Sequence, residues 1–90
     1  MRLDIFLRNA GIIPRRSRAK EACEEGLVAI DGKVAKPSAE VKPGQKLRVE
    51  LNMQTREYQV LELPRVPAAK QQRENYARLL SRSRMDVDEW

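Results

Sequence analysis

Four turn signals divide the first 44 residues into pieces too short for anything but two helices and a few short strands. They are Gly11, Gly26, Asp31-Gly32 and Pro43-Gly44. Ahead of Gly11, residues Leu3, Phe6, Leu7 and Ala10 fall at i, i+3, i+4 and i+7, the apolar stripe of a helix. Asp4 and Arg8 lie four apart on its other side and can pair, for roughly a few tenths of a kcal/mol. Gly11 suits the left-handed position that ends a helix. Ile12 and Ile13 form an apolar link to Pro14. A second helix follows, with Ser17 as the expected N-cap and Gly26 just past its end. Its inward face is Ala19, Ala22 and Cys23, all small, so another element can approach closely.

Beyond Gly26 the periodicity changes to that of strands. Leu27 to Ile30 reads as a short strand, Asp31-Gly32 as a two-residue hairpin turn, and Val34 as part of the returning strand. Lys36-Pro37-Ser38 breaks it. Val41-Lys42-Pro43-Gly44 has Pro and Gly placed for a type II turn. Leu47, Val49 and Leu51 alternate with Lys46, Arg48 and Glu50, the pattern of a half-buried strand. Asn52 to Thr55 is polar and turn-like, and Tyr58 to Leu63 is another strand. Pro64 and Pro67 bracket a linker. Ala68 to Ser83 contains no Gly or Pro, and Ala69, Tyr76 and Leu80 share a stripe, which predicts a helix. The expected fold class is α+β: two packed helices against a small, twisted, mainly antiparallel sheet, plus a C-terminal helix. Residues 1–64 form the sheet-bearing domain, 65–84 a helical extension and 85–90 a flexible acidic tail.

The charge is unevenly placed. The chain carries 18 Lys/Arg against 13 Asp/Glu, a net charge of +5 that favours an anionic partner. Residues 1–36 hold eight cations against five acids, 37–64 four against four, and 65–84 six against one. Arg15, Arg16, Arg18 and Lys20 gather at the start of the second helix, with Glu21, Glu24 and Glu25 toward its end. That order opposes the helix macrodipole at both ends, which points to a ligand for the cations. Duplex RNA offers proteins phosphates and 2′-hydroxyls, and a binder needs cations at fixed spacing on a rigid support. Arg15 and Arg16 stand at the helix start and Lys20 one turn inside. Ser17 can cap the helix or touch a phosphate oxygen, but one hydroxyl proton cannot serve both. Read alone, this charge run suits a solvated face as well as a phosphate contact.

Other chemistries lack their residues. With no His, the commonest general base is missing. The one cysteine, Cys23, lies on the small-residue face as a core filler and excludes an internal disulfide, which fits a reducing compartment. No cluster has metal-ligand spacing, and no Gly-rich loop opens a helix. The chain is therefore read as non-catalytic, with no cofactor, no metal and no small-molecule substrate. Four aromatic residues, Phe6, Tyr58, Tyr76 and Trp90, are too few to stack a single strand. No apolar run approaches the roughly 20 residues that span a bilayer, and Arg2 and Asp4 interrupt the N-terminal apolar stretch, so a cytoplasmic protein without membrane contact is expected.

Five pieces in register, Arg2-Leu3-Asp4-x-Phe6-Leu7, Arg16-Ser17-Arg18-Ala19-Lys20, Gly26 to Lys33, Lys36-Pro37-Ser38 and Val41-Lys42-Pro43-Gly44, resemble the RNA-binding domain of ribosomal protein S-four. The likeness spans residues 2 to about 51 and implies binding of structured RNA through the helix pair and adjoining loop. It implies Arg2, Arg15, Arg16, Ser17, Arg18, Lys20, Lys33 and Lys36 as RNA-binding residues, with Glu21 and Glu25 as competing partners for Arg18. Asp31 stands where that family usually has Asn, which counts against a direct RNA role there. As a whole, with Gln71-x-x-Glu74-Asn75-Tyr76-x-x-Leu79-Leu80 near its end, the chain is similar to the family of bacterial ribosome-associated quality-control factor P and heat-shock protein fifteen. That resemblance implies binding to ribosomal RNA and tRNA on a large ribosomal subunit during rescue of stalled nascent chains; a monomer is expected. Two other roles fit the same residues: an RNA-positioning accessory acting in trans for a tRNA- or rRNA-modifying enzyme, and a protein-interaction module using the Tyr76/Leu80 face.

Overall fold

The computed structural model describes residues 1–84. Helix α1 (Leu3–Asn9) and helix α2 (Arg16–Glu24) precede strands β1 (Val28–Ile30), β2 (Lys33–Val34), β3 (Lys46–Leu51) and β4 (Gln54–Val60). A 3-10 helix (Lys70–Asn75) then leads into strand β5 (Ala77–Arg84). The five strands form one sheet in the order β2-β1-β3-β4-β5, and every neighbouring pair is antiparallel.

The stripe on α1 is buried as its spacing requires: Leu3, Phe6 and Leu7 are fully inaccessible and Ala10 is buried. They pack with Ala19, Ala22 and Cys23 of α2 and with Val28, Leu47, Val49 and Leu51 from the sheet. No side chain caps α1. The segment between Lys36 and Val41 takes that role with its backbone: Leu3 N–H donates to Ala39 O at 2.8 Å and Asp4 N–H to Pro37 O at 3.1 Å. Donors left over at a helix start are thus satisfied by a loop that wraps it.

Helix α2 opens two residues before the expected start. Arg15, just after Pro14, is extended (φ −104°, ψ 123°) and occupies the N-cap position without a side-chain bond. Its carbonyl accepts the Ala19 N–H at 2.9 Å. Ser17 therefore lies inside the first turn, where its hydroxyl cannot cap, and is exposed. The other end matches expectation. Gly26 has φ +77°; its N–H donates to Cys23 O at 3.1 Å and Leu27 N–H to Ala22 O at 3.0 Å. This double bond pattern satisfies two of the last carbonyls of the helix.

The turns at Asp31-Gly32 and Pro43-Gly44 form where expected. Asp31 (φ 49°) and Gly32 (φ 86°) both take positive φ, as a two-residue hairpin demands. The Asp31 carboxylate also accepts the Lys46 N–H at 2.9 Å, which pins the start of β3. That is a structural task for the residue that departs from the S-four pattern. The β3–β4 turn is shorter than expected: only Asn52 and Met53 separate the strands, and β4 begins at Gln54.

The C-terminal segment departs most from expectation. The helix expected from Ala68 to Ser83 is confined to the 3-10 turn at Lys70–Asn75, and the chain from Ala77 is a strand. All seven residues of β4 pair with β5. Without β5, β4 would be a long open edge of unpaired backbone groups. Filling that edge outweighs a helical stripe of only three apolar residues, a case of tertiary pairing overriding local propensity. A register shift at Glu57/Tyr58 pairs Tyr58 with Leu79 and Glu57 with Ser81, leaving Leu80 as the extra residue of a bulge. The linker before it is tied to α1: Asn9 is buried, its side-chain amide donates to Pro64 O at 3.0 Å, and its carbonyl accepts the Ala68 N–H at 2.8 Å. The expected acidic tail, 85–90, lies outside the described residues.

Candidate nucleic-acid interface

The site is organised by a carboxylate. The Asp4 side chain is wholly inaccessible, yet it sits between two half-exposed guanidinium groups. Arg2 precedes α1 in an extended conformation, so its side chain folds back along the helix start. Its Nε donates to Asp4 Oδ1 and its terminal nitrogen to Oδ2, each at 3.2 Å. Arg16, the first residue of α2, brings its Nε to 3.8 Å from Oδ2. The Ile5 N–H donates to Oδ1 at 2.8 Å. A buried charge is tolerated only when paired and hydrogen-bonded, and Asp4 meets both conditions. Arg2 spends one edge of its fork on Asp4, Arg16 approaches it through Nε alone, and each keeps about half of its side-chain surface open (46% and 52%).

The expected Asp4–Arg8 pair does not form. Asp4 faces inward beneath the loop that caps α1, whereas Arg8 is exposed. The i,i+4 rule describes an isolated helix surface; here packing turned the acidic member of the pair toward α2. This anchoring role was missed in the sequence because no local spacing brings Arg16 near Asp4.

The other candidates divide into two groups. Arg15, Ser17 and Lys20 are exposed around the first turns of α2, beside Arg16. Arg18 forms ion pairs with Glu21 (3.5 Å) and Glu25 (3.9 Å), the competition its spacing foretold. Lys33 lies on the edge strand β2, and Lys36 lines a cleft of about 490 Å³ with Cys23, Glu24 and Gly26 at the far end of α2. The loop connects the two groups, because Pro37, next to Lys36, bonds the backbone of Asp4. Among the described residues no acid lies within ion-pairing distance of Arg15, Lys20, Lys33 or Lys36.

Cys23 lines the Lys36 cleft as a buried core residue. Burial, then the negative charges of Asp4 and Glu24, push its thiol pKa up to about 11. A thiol held that high is protonated near neutral pH and is a poor nucleophile. Among the described residues, no group of three or more His, Cys, Asp or Glu side chains is placed to hold a metal ion. No helix among them is long and apolar enough to cross a membrane.

Residues 1–47, which carry both helices, the first hairpin and the wrapping loop, match the model of the S4 domain. The chain belongs to the S4 domain family. Its relatives extend the match beyond the S4 domain itself. A Bacillus subtilis protein is 44% identical over 63 residues, covering 70% of this chain and 73% of its own. A Helicobacter pylori protein is 39% identical over 64 residues, covering 71% and 76%. Both are named RQC P-site tRNA stabilizing factor, and the chain belongs with them. In fold, the chain is similar to the trimeric heat-shock protein 15 of Vibrio cholerae, with a TM-score of 0.84 over 90% of this chain and 82% of that one, at 23% identity. It is also similar to a hypothetical protein solved in solution, with a TM-score of 0.74, 30% identity and coverage of 90% and 98%. The S4 domain accounts for the two helices and the wrapping loop, and the structural neighbours for the wider sheet.

Proposed function

We propose that this protein binds structured RNA through the surface around Arg2 and Arg16 and, on the large ribosomal subunit, steadies a tRNA in the P site during quality control of stalled nascent chains. The observation that carries the reading is the Asp4-held pair of guanidiniums on an S4 domain. Two Arg forks held by one buried carboxylate are pre-oriented, so less side-chain entropy is lost when a phosphate docks. Arg15, Lys20 and the loop lysines Lys33 and Lys36 widen the positive field, and Ser17 offers a hydroxyl to a phosphate oxygen. Arg18 is held by Glu21 and Glu25 beside the start of α2. The ribosomal setting and the tRNA come from the names of the Bacillus and Helicobacter relatives. The protein performs no covalent chemistry in this reading; it acts by charge and shape in the cytoplasm, on ribosomal RNA and tRNA.

Co-sedimentation with ribosomal fractions from translation-stalled cells tests it. The expected result is association with free large subunits carrying peptidyl-tRNA, weakening steeply with salt as phosphate contacts give way to counterions. Association with small subunits alone, or none with any ribosomal particle, would refute it.

A further inference from the structure

Beside the first turn of α2 opens a cleft of about 210 Å³, lined by Ile13, Pro14, Arg15, Arg18, Leu51 and Asn52. Its floor is apolar, because Ile13 and Leu51 are core residues at 3% and 7% exposure. Its polar rim carries two arginines and no acid. Arg18 is steadied by Glu21 and Glu25, so its guanidinium is held in place beside the cleft. Arg15, which lines the cleft, is followed directly by Arg16 of the Asp4-anchored pair.

The β3–β4 turn at the cleft edge has an independent peculiarity. Asn52 (φ 49°) and Met53 (φ 61°) both lie in the left-handed region. Asn tolerates it, whereas Met does so against steric preference. A turn of this kind favours Gly at the second position. Here the residue is instead a methionine with 64% of its surface open to solvent. The two-residue hairpin itself asks for positive φ at both positions; what folding does not ask for is a methionine there, with a flexible apolar side chain held open to solvent where Gly would be easier.

We propose that this cleft takes one unstacked nucleobase of the bound RNA, with Met53 closing over its edge. The inference rests on the RNA-binding reading above and narrows it: the preferred RNA is a duplex interrupted by an unpaired nucleotide. An apolar floor replaces the stacking partner the base gives up, a guanidinium plane can lie against its face, and Arg15 meets the flanking phosphate. The volume suits a single base and is too small for a base pair.

Two fluorescent RNA hairpins test this on the full chain by anisotropy: one fully paired stem, and the same stem with a single unpaired adenosine. Base stacking on a protein surface supports a preference of about tenfold for the second. Replacing the turn by glycines (Asn52→Gly with Met53→Gly) keeps a backbone that accepts positive φ, and a melting curve verifies the fold. The variant should bind the paired stem like the wild type while its preference falls below about twofold. Equal wild-type affinity for the two hairpins, or a preference that survives in the variant, overturns the proposal. Failure to bind either hairpin instead overturns the RNA-binding reading beneath it.

Discussion

Replacing Asp4 by Asn removes the charge that organises the arginine pair while nearly preserving shape. The Ile5 N–H can still donate to the remaining side-chain oxygen. The Oδ2 position, which now accepts from Arg2 at 3.2 Å and faces Arg16 Nε at 3.8 Å, becomes an NH₂ group. Two donors then meet one another inside a site where the Asp4 side chain has no solvent access. At separations near 4 Å a charge pair is worth about 1 kcal/mol in water and about 4 kcal/mol at a protein-like effective dielectric. Both arginines are roughly half exposed, so the lower part of that range applies. Relief of the buried charge's desolvation offsets some of the loss, and an unsatisfied buried NH₂ adds about 1–3 kcal/mol to it. The balance is a destabilisation of about 2 kcal/mol. In a domain of this size that lowers Tm by roughly 10 °C, read from the far-ultraviolet dichroism of a thermal melt. A double-mutant cycle with Arg2→Ala should return a favourable coupling of about 1 kcal/mol. A Tm within about 2 °C of the wild type, together with no coupling, would refute the view that Asp4 organises this surface.

Arg16→Ala combined with Lys20→Ala should lower the slope of log affinity against log salt by about 2, one for each lost phosphate contact, in a titration of a duplex RNA; an unchanged slope would discredit the assigned surface. Gly11→Ala should destabilise the fold by about 1–2 kcal/mol in urea denaturation. Gly11 has φ +78°, and a Cβ there overlaps the Arg73 side chain that crosses it; with Arg73→Ala as background, only the backbone part of the loss should remain. Cys23 should resist alkylation at pH 8 until the chain is unfolded. Its folded pKa of about 11 lies above the ordinary thiol value of 9.0, so the unfolded state loses the proton first. Stability tied to this thiol is complete below pH 9 and declines as pH rises from 9 toward 11, so wild type and Cys23→Ala should converge or cross over that window in melts taken at successive pH values.

Much of the fold was legible because its signals are local. The stripe of Leu3, Phe6, Leu7 and Ala10, the glycine after each helix, and the Asp31-Gly32 and Pro43-Gly44 turns each act through a few neighbouring residues. The cationic start of α2 was legible for the same reason, as was the competition of Glu21 and Glu25 for Arg18. Ser17 was misjudged as a cap because the extended residue after Pro14, not a hydroxyl, sets where α2 begins.

Three features belong to the tertiary structure alone. Ala77–Arg84 falls largely within the segment from Ala68 to Ser83 that reads as a helix, but becomes β5, because the open edge of β4 offers a full row of backbone partners that no isolated segment possesses. Asp4 passes over Arg8, four residues away, for Arg16, twelve away, because packing α1 against α2 buries the carboxylate where, among the described residues, Arg2 and Arg16 reach it. The cleft at Ile13 and Leu51 exists only where the α1–α2 link meets the end of β3. By itself the sequence determined which residues are cationic and which segments turn. Long-range packing decided which of those cations share an anchor, since burial converts a weak surface pairing into one that holds two guanidiniums in place.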